Sequence, residues 1–180
     1  MAAAGVTGLV IFLNAEETYR VLKVFEITGT AVVSRANTGE LDAYAGMNLE
    51  SGDVISVNEG STLRISLDGD KYVLLDSGTV IELIAEGTAA DSRTSINLKQ
   101  GTILNEITSA LSANSSYEVN TPKATMAVRG TSFTVTVTKL ADGGYITDVN
   151  TIHSKVSVQL YNEDGTPKGE EVIVKEGYCV

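Results

Sequence analysis

Residues 121–135 read Thr-Pro-Lys-Ala-Thr-Met-Ala-Val-Arg-Gly-Thr-Ser-Phe-Thr-Val, and no other stretch of the 180-residue chain says as much about its fold. Pro122 fixes φ and lacks a backbone donor, so we expect it at the mouth of a strand or on a sheet edge. A strict alternation of apolar and polar residues follows Arg129-Gly130-Thr131. The residues predicted to point inward are Phe133, Val135 and Val137, and those predicted to point outward are Ser132, Thr134, Thr136 and Thr138. This alternation is typical of a half-buried β-strand, entered here through a glycine corner.

Similar strand patterns recur along the rest of the chain. Leu63, Ile65 and Leu67 alternate with polar residues before Asp68-Gly69-Asp70, which is a hairpin signal leading into residues 71–75. Further strands are predicted within residues 96–104, 133–149, 156–160 and 172–174. Only residues 108–113 look capable of a helical turn, and that segment is too short to matter. The sequence therefore predicts an all-β domain of short antiparallel strands.

A glycine followed by Thr or Asp and then by apolar residues recurs through the chain. It occurs at Gly29, Gly52, Gly78, Gly101 and Gly130. Quasi-repeats of this kind favour a wound, twisted β-solenoid-like architecture, in which each unit packs on the next. The alternative is a β-sandwich, in which Gly-Thr is simply a common way to begin a strand. Both architectures remain open at this point.

The composition argues against several classes of partner. The net charge is −10, the pI is about 4.5, and no basic stripe is present in the sequence. Nucleic acid and anionic lipid surfaces are poor candidates, because both require clustered Lys and Arg. A protein or a small polar ligand remains as a partner.

Catalytic and metal-binding patterns are not found in the sequence. His153 is the single histidine, so a catalytic dyad or a zinc site would lack its other groups, and we interpret it as a loop or strand-edge residue. Asp68-Gly69-Asp70 and residues 162–165 do not have the ligand spacing of an EF-hand loop. A carboxylate-based glycan hydrolase is a weaker alternative, because tryptophan is absent and aromatic residues make up 6% of the chain. The prediction is a non-enzymatic protein with no cofactor and no metal.

Arg129 and Cys179 are the two remaining polar residues of interest. A buried guanidinium at a strand corner needs carboxylates or carbonyls around it, so we interpret Arg129 as a clamp between two turns. An anion-binding arginine is the alternative. Cys179 is the single cysteine, which excludes an intrachain disulfide, and we interpret it as a small apolar residue ending a strand.

Residues 2–13 form the one long apolar run, AAAGVTGLVIFL. Twelve residues are too few to cross a bilayer, which takes about 20. Residues 1–20 are therefore predicted to be either the truncated end of a membrane anchor or a first strand, residues 6–13, plus a linker. Residues 21–180 are predicted to be the β domain.

The pattern Thr-Pro-x-Ala-x-x-x-Val-Arg-Gly-Thr-x-Phe identifies a family resemblance. It is matched by Thr121, Pro122, Ala124, Val128, Arg129, Gly130, Thr131 and Phe133. This block resembles the most recognisable block of the FecR domain family, named for the ferric-citrate regulator. The resemblance extends loosely over residues 24–178, although the glycine that the family has near residues 153–156 is replaced by His153-Ser154-Lys155-Val156.

The resemblance implies an extracytoplasmic all-β module, in the periplasm or at the cell surface, behind a membrane helix. Family members of the ferric-citrate type relay receptor occupancy to a sigma factor. No counterpart of their cytoplasmic segment or receptor-contacting C-terminal domain is expected in these residues, so the resemblance implies the module and not the iron pathway. We expect a sensory or protein-interaction module that binds another envelope protein, with the motif residues serving structure. A structural or adhesive surface domain is the alternative.

Overall fold

The computed structural model describes residues 20–162 and 164–180. Within them the chain is all-β and forms no helix. The strands are β1 (Leu22–Thr28), β2 (Ala31–Arg35), β3 (Gly39–Asp42), β4 (Val54–Val57), β5 (Thr62–Leu67), β6 (Lys71–Leu75), β7 (Val80–Gly87), β8 (Ser92–Ile107), β9 (Ser116–Asn120), β10 (Ala124–Val128), β11 (Ser132–Lys139), β12 (Tyr145–His153), β13 (Lys155–Leu160) and β14 (Val172–Lys175).

The strands form two sheets that share one strand. The short sheet has the order β1-β5-β6-β8-β11-β12 and is antiparallel throughout. The long sheet has the order β3-β2-β4-β7-β8-β9-β10-β13-β14 and is antiparallel except between β8 and β9. Neither sheet closes on itself, and together they make a sandwich-like fold. Of the two architectures that the sequence left open, the protein adopts the sandwich-like one.

The shared strand β8 changes sheets at Gly101. Its first part pairs with β7 and β9 in the long sheet, and its second part pairs with β6 and β11 in the short sheet. Gly101 has a φ of +92°, and a Cβ on it would lie 2.5 Å from the Cα of Thr79. Only glycine fits this close approach, because a side chain would collide with the neighbouring backbone. The two strands predicted on either side of Gly101 are thus one continuous strand.

The core lies between the inner faces of the two sheets, where alternate residues of each strand are buried. In β11 the predicted pattern is confirmed, since Phe133, Val135 and Val137 are buried while the residues between them face outward. The glycines of all five predicted corners have positive φ. The hairpin between β5 and β6 is also confirmed, with Leu67 paired to Lys71.

Two details differ from the sequence prediction. Residues 108–113 form turns and irregular backbone instead of a helical turn, and β9 follows them where no strand was predicted. Within residues 153–156, near which the family resemblance placed a glycine, Ser154 adopts a positive φ of 71°.

The predicted anchor or first strand at residues 2–13 lies outside the described residues. Across the remainder, no helix is long and apolar enough to span a membrane.

Candidate functional site

The outer face of the long sheet carries a row of side chains that crosses six strands. The strand register places each member opposite the next, and the row consists of Ile84, Ser95, Glu118, Ala127, Ser157 and Ile173. Because successive residues of a strand point to opposite faces, all six lie on the outer surface. Small side chains occupy half of the row, so the surface is indented along it.

Two cavities mark this indentation. The larger one, of about 520 Å³, lies over β9, β10 and β13 and extends to Glu171 and Ile173. The smaller one, of about 270 Å³, lies over β7, β8 and β9. Ser116 and Glu118 line both cavities. The two cavities therefore form one depression across the strands, which we call the cross-strand groove.

Basic residues follow one side of the cross-strand groove. Arg93, Arg129 and Lys155 line its cavities, and the register pairs Lys155 with Lys175 on β14. All four are exposed. We call these four residues the basic rail. No local pattern in the sequence indicates it, because its members come from β8, β13, β14 and the turn after β10, which only the strand register brings together.

Arg129 is the member of the basic rail that differs most from its prediction. It is exposed, and no residue in the described ranges 20–162 and 164–180 forms an ion pair or hydrogen bond with its guanidinium. The predicted buried clamp is therefore wrong. The backbone of β10 ends at Val128, and the turn through Gly130 directs the arginine side chain outward to the groove.

Arg20 and Arg35 form the clamps that we expected from Arg129. Arg20 donates from Nε to the Asp68 carboxylate in the short sheet at 2.7 Å. From Nη1 it donates to the carbonyl of Glu86 in the long sheet at 2.7 Å, so it ties the two sheets together. Asp68 also lies 3.7 Å from the buried ammonium of Lys71, and this network accounts for the acidic turn that could have suggested calcium.

Hydrogen-bonded polar residues form the next row of the outer sheet face, on the opposite side of the Ile84–Ile173 row from the basic rail. Asn120 donates from Nδ2 to Ser95 Oγ at 2.7 Å and to Asn97 Oδ1 at 3.1 Å. Thr125 donates to Asn120 Oδ1 at 2.7 Å. These bonds hold the side chains in fixed positions, so this side of the groove is preorganised. We call Asn97, Asn120 and Thr125 the amide side.

The floor of the groove contains an unsatisfied hydroxyl. The Oγ atom of Ser157 is buried and makes no hydrogen bond within the described part of the chain. Nearby, Thr131 is buried and donates from Oγ1 to the carbonyl of Lys155 at 3.1 Å, which fixes the corner against β13. A buried polar atom without a partner is costly, and Ser157 stands in the row between Ala127 and Ile173.

The predicted motif residues separate into three places. Val128, Arg129, Gly130 and Thr131 lie at the groove. At the other end of β10, Thr121 accepts at Oγ1 from Ala124 N–H at 3.0 Å and closes the turn that contains the exposed Pro122. Ala124 and Phe133 are buried in the core. The structure thus brings four of the eight motif residues together at one surface.

The other polar residues singled out in the sequence do not assemble a catalytic group. His153 is exposed at the end of β12, with its Nδ1 atom 3.3 Å from the Glu176 carboxylate. Cys179 was predicted to end a strand; it is exposed and forms an isolated antiparallel bridge with Asn150 of β12. Within the described residues no three His, Cys, Asp or Glu side chains are placed to hold a metal ion.

These features define a sandwich-like β domain with an open polar groove on one sheet face. The sequence profile of the family described as FecR protein matches residues 53–157, which is more than half of the chain. The chain belongs to this family. It is a family of membrane-associated signalling proteins.

Solved structures similar to this fold have been found. Two crystal structures of a "putative anti-sigma factor" from Parabacteroides distasonis ATCC 8503 align with a TM-score of 0.48 and 23% sequence identity. The alignment covers 68% of this chain and 59% of that one, so the chain spans less than two thirds of the protein it matches. No curated protein matches the chain.

Proposed function

We propose that this chain is a non-catalytic interaction module of the bacterial cell envelope, positioned outside the membrane. It binds a partner protein, and the binding free energy is transmitted to sigma-factor regulation instead of being used for chemistry. The observation that carries the proposal is the family match over residues 53–157. The predicted anchor at residues 1–20 would connect the β domain, residues 21–180, to the membrane.

The sheet edges support a protein partner. One edge of the short sheet, β1, is covered by residues 46–49, where Val24 N–H donates to the carbonyl of Met47 at 2.9 Å. The other edge, β12, is covered by residues 177–180, where Val149 N–H donates to the carbonyl of Val180 at 2.8 Å. In the long sheet the edge strand β14 pairs, within the described residues, only with β13. An exposed edge of this kind accepts a strand from a partner.

The motif residues other than Arg129 are proposed to serve the fold. Three of them, Ala124, Val128 and Phe133, are buried, which supports a packing role. Thr121 and Thr131 use their hydroxyls to bond the backbone of neighbouring segments.

Deleting the gene segment that encodes the chain tests the signalling role. We expect the transcripts of a set of genes with one shared promoter sequence to change, and complementation with the intact gene to restore them. Loss of attachment to surfaces with an unchanged transcript profile would instead establish the structural or adhesive alternative and overturn the proposal.

Cys179 provides a test of the location. Its thiol is exposed and is the one cysteine in the sequence, so a membrane-impermeant maleimide should label it in intact or outer-membrane-permeabilised cells. A Cys179→Ser variant is the control for specificity. Labelling that appears only after the inner membrane is lysed would place the domain in the cytoplasm and contradict the proposal.

A further inference from the structure

We propose that the cross-strand groove binds an extended acidic peptide segment of the partner protein. This inference rests on the proposed function, since it assigns a surface and a peptide chemistry to the partner. It is carried by the basic rail and the preorganised amide side, which lie on opposite sides of the row from Ile84 to Ile173.

The length of the groove sets the length of the peptide. The row from Ile84 to Ile173 crosses six strands, and neighbouring strands lie about 4.8 Å apart. The five spacings add up to about 24 Å. An extended chain rises about 3.4 Å per residue, so about seven residues fill the groove.

The charges along the groove select an acidic segment. The chain carries a net charge of −10, yet three exposed cations line one side of this groove and the exposed Lys175 continues their row. Arg93 is weakly engaged by Glu86 at 3.9 Å, while the guanidinium of Arg129 has no partner among the residues described. Carboxylates of a bound peptide supply the fork-shaped acceptor that a guanidinium prefers.

The acidic residues of the groove define the spacing of the peptide carboxylates. Glu118 lies in the floor row and Glu171 at the end of the larger cavity, and both disfavour a carboxylate that points toward them. Alternate side chains of an extended peptide point to opposite sides. The favoured ligand therefore directs acidic side chains to the basic rail at every second position and small uncharged ones toward the floor and the amide side.

The two ends of the row provide apolar contacts for the peptide. Ile84 and Ile173 stand at the two ends of the row, where they contact apolar side chains at the peptide ends.

An anionic polysaccharide is less well matched to this surface. Sugar rings stack on exposed aromatic faces, and no aromatic residue belongs to the outward-facing row. Tyr117, the aromatic residue next to the larger cavity, is buried with its hydroxyl directed to Asn105.

A nuclear magnetic resonance titration of the full chain tests the assignment. The probe is a heptapeptide with Glu at every second position and Ser between, and the matched probe has Gln for each Glu. We expect saturable amide shifts confined to β7, β8, β9, β10, β13 and β14 and to the turn at residues 129–131 with the acidic peptide. The Gln peptide should bind at least about tenfold more weakly, and added salt should weaken the binding of the acidic peptide. Shifts elsewhere, or equal affinity for the two peptides, would overturn the proposal.

Substitutions on the chain identify the contacts. The double variant Arg129→Gln with Lys155→Gln should lose about tenfold or more in affinity. Lys139→Gln, which removes an exposed cation at the end of β11 away from the groove, should bind as the parent does. The melting temperatures of all variants show whether each remains folded. Equal losses of affinity in the double variant and in Lys139→Gln would show a nonspecific charge effect and refute binding at the groove.

Three further results separate this inference from the proposed function. If polygalacturonate binds at the groove and the acidic peptide does not, the ligand is a polysaccharide and the peptide assignment is wrong. If neither binds while the gene deletion still changes the transcript profile, the groove assignment fails and the signalling role stands. If the deletion leaves transcripts unchanged, the signalling role fails whatever the peptide does.

Discussion

The guanidinium of Arg35 holds the carboxylate of Asp53 through two parallel hydrogen bonds, Nε to Oδ1 at 2.8 Å and Nη2 to Oδ2 at 2.8 Å. The side chain of Asp53 is 1% exposed and that of Arg35 is 16% exposed. Asp53 also accepts from the backbone N–H of Glu50 at 2.8 Å. The pair therefore joins the end of β2 to the turn that precedes β4, and it holds the start of the long sheet in place.

Removing one partner of this pair should strongly destabilise the domain. We expect Arg35→Met to lower the free energy of unfolding by about 3 kcal/mol, because it leaves the buried Asp53 carboxylate without its counter-charge. Glu50→Gln is the matched control, since Glu50 is 64% exposed and also contacts Arg35, at 2.8 Å. That change should cost less than about 1 kcal/mol. Urea unfolding followed by circular dichroism measures both, and similar losses would show that burial of Asp53 is unimportant.

The buried tyrosine Tyr117 should make the domain sensitive to alkali. Its hydroxyl donates to Asn105 Oδ1 at 2.7 Å, and burial raises the pKa of Tyr117 well above its ordinary value of 10.0. The raised pKa means that the folded state keeps the proton. The contribution of Tyr117 to the free energy of unfolding is therefore fully present below pH 10.0. It falls above that pH, where only the unfolded state loses the proton.

The Tyr117→Phe variant tests this explanation. It should lose about 1–3 kcal/mol at neutral pH, because Asn105 Oδ1 is left without its donor. Above about pH 10 the difference from the parent should shrink by up to about 1.4 kcal/mol per pH unit. Tyr178→Phe, at a residue that is 68% exposed, should change the neutral-pH stability by less than about 0.5 kcal/mol. Urea unfolding across this pH range is the measurement, and a constant difference would show that Tyr117 does not cause the alkaline loss.

Local patterns in the sequence predicted the strands but not the surface. The strand after Gly130 and the hairpin at Asp68-Gly69-Asp70 are determined by residues adjacent in sequence, so both predictions are confirmed. The basic rail depends on which strands pair and in which register, and β8 with β9 is the parallel pair that no local pattern indicated. The position of the clamp depends on the register too. The sequence therefore predicts a clamp at Arg129, whereas the residue that contacts both sheets is Arg20.

Gly101 should tolerate substitution less well than a glycine with a similar backbone conformation. Gly101 has a φ of +92° and Gly52 a φ of +95°, so alanine is strained at both. A Cβ at Gly101 would also meet the backbone of Thr79, whose Oγ1 accepts from Thr102 N–H at 3.0 Å, whereas a Cβ at Gly52 would meet nothing within 4 Å. Gly101→Ala should therefore cost about 2 kcal/mol more than Gly52→Ala in chemical unfolding. Equal costs would mean that the crossing of β8 between sheets does not require this close approach.

Ser154 holds a conformation that favours glycine, and replacing it should stabilise the domain. Its φ is 71°, in the left-handed region that is costly for residues with a side chain, and it connects β12 to β13. Its backbone bonds do not depend on the side chain, since Glu176 N–H donates to its carbonyl at 3.0 Å and its own N–H donates to Glu176 Oε2 at 3.3 Å. Ser154→Gly should therefore add about 0.5–1 kcal/mol to the free energy of unfolding, after the greater backbone entropy of glycine offsets part of the relieved strain.

Two further variants at this position separate backbone strain from the loss of the hydroxyl. Ser154→Ala keeps the strain and should stay within about 0.5 kcal/mol of the parent. Ser154→Val should be destabilised by about 1 kcal/mol or more, because a β-branched residue fits a positive φ poorly. The strain explanation is supported if the urea midpoint is highest with Gly at position 154, lower and equal with Ser and Ala, and lowest with Val. A midpoint for Ser154→Gly at or below that of Ser154→Ala would contradict it, since relief of strain is the one effect that raises stability in the first variant and not in the second.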